Sequence, residues 1–471
     1  VKGHAGRTPS PQGFRARRHD ALSGAPDTAD RVGFILLLGV VGLAPLAGVA
    51  PDRVARLGAA ALPMPELGRT LLHVLAFLAA ALAFFSRARA RDRRPLRVPA
   101  IAFAAFAVFG VLQLIPLPDG FLRIVAPVNR EIYHDTAEVL GLFRVPAPLA
   151  RVSIAPSETI AAVGSLLASA AVFLASANLV AGRDRLRTFQ TVLVLGAVVR
   201  MVLARTSPVS VDSPATGAHG DIALAICFGA VWTETLTGGG RVRQDAGRAE
   251  RFEGRVLPLA LRLALWTGVA LGIAWTSSRA AAQAAVATTI VLALAGTRHR
   301  RARSQRRIAI AYAVAAALVL LAGATAGASY LFRRGTHSPA PVPSETHALV
   351  EAWRLFPVVG SGLGTLPDAL RRVQPPGAPS IGAGDVLQVL VTGGVIGATL
   401  AAVSFLSLFA LLFSAWRGQR HRGESAFILA AVGAMFSLAL SGAAGPALAD
   451  PTVVLSLAAV TGAAWAADRG R

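Results

Sequence analysis

Long apolar runs recur from one end of this 471-residue chain to the other. Each is close to the roughly 20 residues a helix needs to cross a bilayer. So many runs of that length cannot be hidden in one soluble core. Hydrophobic residues make up 54% of the chain and charged residues 15%, against about 25% charged in ordinary soluble domains. The pattern predicts an all-α, polytopic integral membrane protein with about twelve transmembrane helices. They are placed at 33–50, 70–86, 99–116, 158–180, 189–204, 220–238, 257–276, 279–296, 308–330, 386–414, 425–444 and 452–467. Many are rich in Ala and Gly, which lets helices approach closely in lipid. Spans 257–276 and 279–296 are separated only by a tight turn at Ser277–Ser278. The run 386–414 is too long for one crossing, and its Gly393, Gly394 and Gly397 predict a tilt, a kink or a shallow insertion.

The net charge is +22, almost all of it arginine, since Lys2 is the sole lysine. With the N-terminus in the cytoplasm and sides alternating, the inner segments are 1–32, 87–98, 181–188, 239–256, 297–307, 415–424 and 468–471. They hold 30 arginines plus Lys2 of the 47 basic residues. The outer segments are longer together and hold fewer than half as many. This asymmetry is what the positive-inside rule describes, and it places both termini in the cytoplasm. The organisation expected is a cytoplasmic basic tail at 1–32, transmembrane helices 1–9 over 33–330, a large periplasmic loop at 331–385 and transmembrane helices 10–12 over 386–471. The arginines sit in short loops with no aromatic platform of the kind that binds single strands, which excludes nucleic acid as the partner. Cys227 is the one cysteine, so the chain can form no internal disulfide or thiolate metal site. Residues 1–31 are polar and basic without a short apolar stretch and cleavage site, so the first span reads as an anchor.

The two longest connections, 117–157 and 331–385, fall on the outer side, where long loops often carry function. The second contains RLFPVVGSGLG at 354–364, with Gly360, Gly362 and Gly364 in five residues. It lacks the Gly-Lys-Ser/Thr ending of a phosphate-binding loop and faces away from cytoplasmic nucleotide, so a nucleotide cradle is excluded. Arg200 lies inside the span TVLVLGAVVRMVLA, where an ionisable group is costly and points to function. His219 and Asp221 stand at the outer end of another span.

Four stretches resemble the O-antigen ligase and O-antigen polymerase superfamily of bacterial envelope glycosyltransferases. They are VLQLIPLPDG at 111–120 with RVSIAPSETIAAVGSLL at 151–167, TSSRAAAQAA at 276–285, LFPVVGSGLGTL at 355–366, and GDVLQVLVTGGVIG at 384–397. Their order and spacing, with twelve spans and a large outer loop before span ten, carry the resemblance over most of the chain. It implies a C-type, multi-span glycosyltransferase in the bacterial inner membrane. Such an enzyme moves a glycan from a polyprenyl diphosphate to a lipid A core, another glycan or a different hydroxyl, with no nucleotide, cofactor or metal.

A departing diphosphate then needs arginines, whose guanidinium groups bind phosphate oxygens in pairs and stay charged. Arg279 holds the family's Ser-Arg position at the start of span eight, and Arg200 and Arg354 are further candidates, with Arg371 and Arg372 behind them. An acceptor hydroxyl needs a general base. The family's His-Asn-Asp before span ten reads here Ala383, Gly384, Asp385, and the later Glu of that motif reads Thr392. Asp385 and Gln388 stay in register. Asp385, His347, His337, Glu351, or His219 with Asp221, are the alternative bases. A second reading is an inactive relative that binds lipid-linked glycan or scaffolds assembly, and a third, a transporter, lacks repeat symmetry and mid-membrane charges. The sequence leaves the oligomeric state open.

Overall fold

A computed structural model describes residues 28–47, 64–85, 97–180, 182–206, 214–237, 264–273, 279–297, 345–374, 384–418 and 422–469. Every regular element among them is a helix. In chain order these are α1 Thr28–Ala47, α2 Met64–Phe85, α3 Arg97–Leu112, α4 Asp119–Val125, α5 Pro127–Leu142, α6 Pro156–Leu179, α7 Arg183–Thr206 and α8 Pro214–Thr237. There follow α9 Ala264–Ile273, α10 Arg279–Thr297, α11 Glu345–Leu355, α12 Leu366–Leu370, α13 Asp385–Gly418, α14 Arg422–Ala444 and α15 Pro451–Arg469. Six of them, α1, α6, α7, α13, α14 and α15, are long and apolar enough to cross a membrane, and α2, α3, α9 and α10 carry shorter apolar stretches. Ten of the expected spans fall at least in part on these apolar helices, 220–238 falls on α8, which is not among them, and 308–330 lies outside the described residues. The loop expected at 331–385 is described at 345–374 and from 384 onward.

The large core is the interior of this bundle, built from α1, α2, α6–α10, the distal part of α13, and α14 and α15. Small residues bring the backbones together. A side chain on Gly229 of α8 would meet Ala430 and the Ala426 carbonyl of α14, and one on Gly462 of α15 would meet the Phe173 carbonyl of α6. With no hydrophobic drive between helices in lipid, such close contact is what holds them.

A second, smaller layer caps one end. Helices α11 and α12 bury Leu349, Ala352, Phe356, Ala369 and Leu370 against Val391 of α13. Helix α4 buries Leu122 against Ala126 and Val152. Pro127 and Pro156 stand in the first turns of α5 and α6, where a missing N–H costs nothing. The sequence treats both outer connections as loops, and their short helices are absent from its span count.

Helix α13 breaks where glycine clustering predicted. Gly394 is non-helical, at φ +62° and ψ −166°, and divides a short segment 385–393 from a membrane-length one, 395–418. A broken helix needs new partners for its freed backbone groups. Here the glycine-rich turn supplies them. The Val395 and Ile396 N–H groups donate to the Pro357 and Val358 carbonyls at 2.9 and 3.3 Å, while the Val391 and Thr392 carbonyls accept from the Ser361 and Gly362 N–H groups, each at 3.0 Å.

Candidate functional site

That backbone pairing is the centre of a buried knot between bundle and cap. Gln113, at the end of α3, donates through Nε2 to the Val359 carbonyl at 2.8 Å and to the Thr392 carbonyl at 3.3 Å. Its Oε1 accepts the Leu363 N–H at 3.0 Å. The Gln113 carbonyl accepts from the Ser153 N–H, and the Ser361 carbonyl from the Ile154 N–H. Asn129 of α5 donates to the Val152 carbonyl, and Tyr133 Oη donates to the Ser153 carbonyl at 2.8 Å. Hydroxyl pairs Ser153–Thr159 and Ser361–Thr365 close the remaining gaps at 2.7 and 2.8 Å. Burial pushes the Tyr133 phenol above its ordinary range, and nearby Arg151 offsets part of that.

Gly360, Gly362 and Gly364 all have positive φ. Gly360 lies against the Thr392 carbonyl, so that a Cβ there would overlap it, and a Cβ on Gly362 would stand 2.7 Å from Ser153 Oγ. The Ser361, Gly362 and Leu363 N–H groups are all committed within the protein. These glycines therefore act by letting backbones touch, and three amides that could have cradled a phosphate are already occupied.

The knot makes Gln113 a sensitive position. Gln113→Leu removes three hydrogen bonds and leaves the Val359 carbonyl and the Leu363 N–H without partners, while the Thr392 carbonyl keeps the Gly362 N–H. A loss of about 3 kcal/mol is expected, read as a lower unfolding temperature of the purified protein in detergent.

A second polar cluster lies at the same end. Arg200, near the end of α7, is buried at 2% exposure. It pairs with Asp450 at 3.2 Å, donates to the Pro45 carbonyl at 2.8 Å, and reaches Thr216 and Thr452 at 3.3 and 3.5 Å. Pro45 lies in the last turn of α1, whose carbonyls have no partner within the helix, so Arg200 caps α1 and meets its negative end. Asp450 precedes Pro451 and takes the N-cap of α15, accepting the Thr452 N–H at 2.9 Å and hydroxyl at 2.7 Å. Burial pushes the Asp450 carboxyl up, but Arg200 beside it and the Thr452 bonds outweigh this, and it is held below the ordinary carboxylate range. His219 of α8 lies beside this pair, with Nδ1 donating to the Ala215 carbonyl at 2.9 Å and Nε2 buried without a partner. Asp221 is also fully buried, but it faces Ser437 of α14. Two residues apart on one helix, His219 and Asp221 point to different neighbours and do not form a working pair.

Asp385 opens α13 and is buried. Its two oxygens accept the Leu448 N–H at 2.9 and 2.8 Å, so it grips the turn between α14 and α15 that also carries Asp450. Gly442 passes so close to its Oδ2 that no Cβ fits there. Gln388 runs in the first segment of α13, where its carbonyl accepts the Thr392 hydroxyl at 2.9 Å. His347 is exposed on α11. Arg354 is exposed and paired with Glu351 at 2.7 Å, and Arg371 with Asp368 at 3.0 Å; Arg372 is exposed. Arg279 opens α10, but its side chain lies outside the described residues, as do Ala383 and His337 entirely.

Thus the structure brings Asp385, Gln388 and the three glycines into one region, sets Arg200 and His219 in a neighbouring cluster, and leaves His347 and Arg354 on the cap surface. Sequence reasoning missed Gln113, Asn129, Tyr133, Arg151 and Asp450. The Ala-Asp-Pro-Thr run at 449–452 is a helix-start signal that could have found Asp450 as a cap. Arg151 sits at the edge of the knot beside Tyr133, and its Nε is buried without a partner. Among the described residues no group of three or more His, Cys, Asp or Glu could hold a metal ion. No protein-family model and no curated protein matches this chain.

Proposed function

We propose that this chain is an O-antigen ligase-like glycosyltransferase of the bacterial inner membrane, with twelve spans and both termini in the cytoplasm. It transfers a glycan from polyprenyl diphosphate to a lipid A core, glycan or other hydroxyl acceptor at the periplasmic face. One observation carries the reading. Three of the four stretches that bear the resemblance, up to 279 residues apart, interlock in a single buried knot beneath a helical cap. A shared motif set that folds into one place is what a common scaffold requires. In the reaction the acceptor hydroxyl gives its proton to a base and attacks the anomeric carbon. The bond from that carbon to phosphate breaks, and the diphosphate leaves against arginine. Arg279 at the head of α10 and Arg151 at the rim of the knot are the cations we assign to it, with Arg354 of α11 as a third.

The alternative is a family member that binds lipid-linked glycan without transferring it. It is favoured by one feature: the described side chains that tie the knot include no carboxylate or histidine, and Asp385 is already committed to backbone amides. Deleting the gene in its host and examining surface polysaccharide on a gel tests both readings. Transfer predicts loss of polymer from its anchor, restored by wild type and not by Arg279→Ala. The Asp385 pair of variants then separates base from brace. Asp385→Asn keeps an oxygen for Leu448, so a bracing role predicts that it complements while Asp385→Ala does not. A base predicts that both fail. Unchanged polysaccharide on deletion removes the transferase reading.

A further inference from the structure

The segment between α3 and α6 exposes more apolar surface than its small core explains. Ile124 of α4 is 82% exposed, Phe143 73% and Leu149 66%. Residues 143–149 follow α5 without regular structure, as FRVPAPL. Phe143, Val145, Ala147 and Leu149 alternate with Arg144, Pro146 and Pro148. Phe143 and Arg144 form the turn that closes α5, with Arg144 at φ +55°, so the alternation is one of sequence and the exposure of each residue is what makes the strip. All seven are exposed. The Leu117 N–H donates to the Ala150 carbonyl at 3.1 Å, which fastens the end of this segment beside the start of α4 and so brings Leu149 toward Phe121 and Ile124.

We propose that this strip lies in the lipid headgroup interface at the cap end of the bundle. Its occupant is the bilayer, and three observations favour that over a protein partner. First, the strip continues the uncovered apolar side of α3, where Val108, Val111 and Leu112 are exposed, through the exposed Ile115. Second, a partner strand pairing on 143–149 would find donors missing at Pro146 and Pro148. Third, the charges are sorted for an interface. Arg123 and Arg144 flank the apolar residues and can reach phosphate, the exposed acids Glu131, Asp135 and Glu138 lie on the body of α5, and Asp119 at the head of α4 is paired with Arg130 at 2.6 Å. The remaining open amides of the segment fix its depth, since hydrocarbon would leave them unpaired and headgroups and water do not. The strip leads directly into Val152 and Ser153 of the knot. It therefore sets the height of the cap over the membrane, and the inference stands whether or not the chain transfers glycans.

Site-directed spin labelling in liposomes tests this on the full chain. Cys227 is the one native cysteine and is buried, so Cys227→Ser gives a clean background. Nitroxides are placed at Ile124→Cys, Phe143→Cys and Leu149→Cys, with Glu131→Cys and Asp135→Cys as references. Oxygen, which partitions into lipid, should relax the first three at least two-fold more than a water-soluble nickel chelate does, and the references should show the reverse order. Water-like behaviour at any of the three strip positions overturns the proposal. So does shielding from both reagents, which would mean that protein covers the strip.

Discussion

Asp450→Ala is expected to be among the most damaging single substitutions in the chain. It strands Arg200 as a buried cation, and losing one partner of a buried pair costs about 3–5 kcal/mol. The pair is sheltered, with the two side chains 3% and 18% exposed, so solvent does little to screen the loss. Arg200→Met alone should cost a similar amount, because it leaves the buried Asp450 carboxylate without its cation and the Pro45 carbonyl without a donor. The double variant should recover the part of the deficit that comes from the stranded charge, because both charges then leave together, while the lost α15 cap and the Pro45 carbonyl remain uncompensated. Thermal unfolding of all four proteins in detergent gives the coupling energy directly. Additive losses below about 1 kcal/mol each would show that the contact contributes little. The pH dependence has a fixed sign. Asp450 is held below its ordinary range in the folded state. Its contribution is therefore complete above the unfolded value of about 3.9 and is lost as pH falls through the folded value. The gap between wild type and Asp450→Asn should narrow in that acid range. The same experiment bears on function. Arg200 already spends its donors on Pro45, Thr216, Asp450 and Thr452, so a diphosphate could reach it only by displacing Asp450.

The sequence and the structure agree where periodicity and composition act locally. Apolar runs place the helices of the bundle because desolvating so much surface leaves few alternatives. The break in α13 is legible from Gly393 and Gly394, since clustered glycines remove the side-chain packing that keeps a helix straight. Contacts over long separations were not legible. Nothing near Gln113 announces that it will reach Val359, Leu363 and Thr392, because a glutamine at a helix end reads as an ordinary polar boundary. Arg200 was singled out for its cost in a span, and that logic is sound. What the sequence could not supply was the partner 250 residues away, which turns a ligand candidate into a tie between α1, α7 and α15. Asp385 shows the same limit: its place before a helix suggests a cap, and the structure spends the carboxylate on a different turn. Helices α4, α5, α11 and α12 escaped because they are short and only partly apolar, below the length at which a span is recognised.

Gly394→Ala and Gly360→Ala should be about as costly as breaking the ion pair, for a different reason. At Gly394 the backbone lies at φ +62° and ψ −166°, a region that residues with a side chain avoid at a cost of about 1–3 kcal/mol. A methyl group there also overlaps the Val358 carbonyl and crowds Gly360, and one on Gly360 overlaps the Thr392 carbonyl. These obstacles are backbone atoms held by Gln113 and by the paired amides, so they cannot rotate aside. Strain and overlap together should cost at least about 3 kcal/mol in each variant. Gly164→Ala in α6 and Gly39→Ala in α1 are the controls. Both sit in helices with no neighbour within 4 Å of the added carbon, so alanine should be neutral or stabilising by up to about 1 kcal/mol. The comparison is made on protein that stays monodisperse in detergent after a heating series. Gly394→Ala surviving as well as Gly164→Ala would mean that α13 does not break against the glycine turn. The knot would then lose the contact that joins the membrane helices to the cap. If instead the two knot variants collapse and the controls do not, the turn at 360–364 is required as a joint, and any ligand it positions must be held by side chains around it rather than by its own amides.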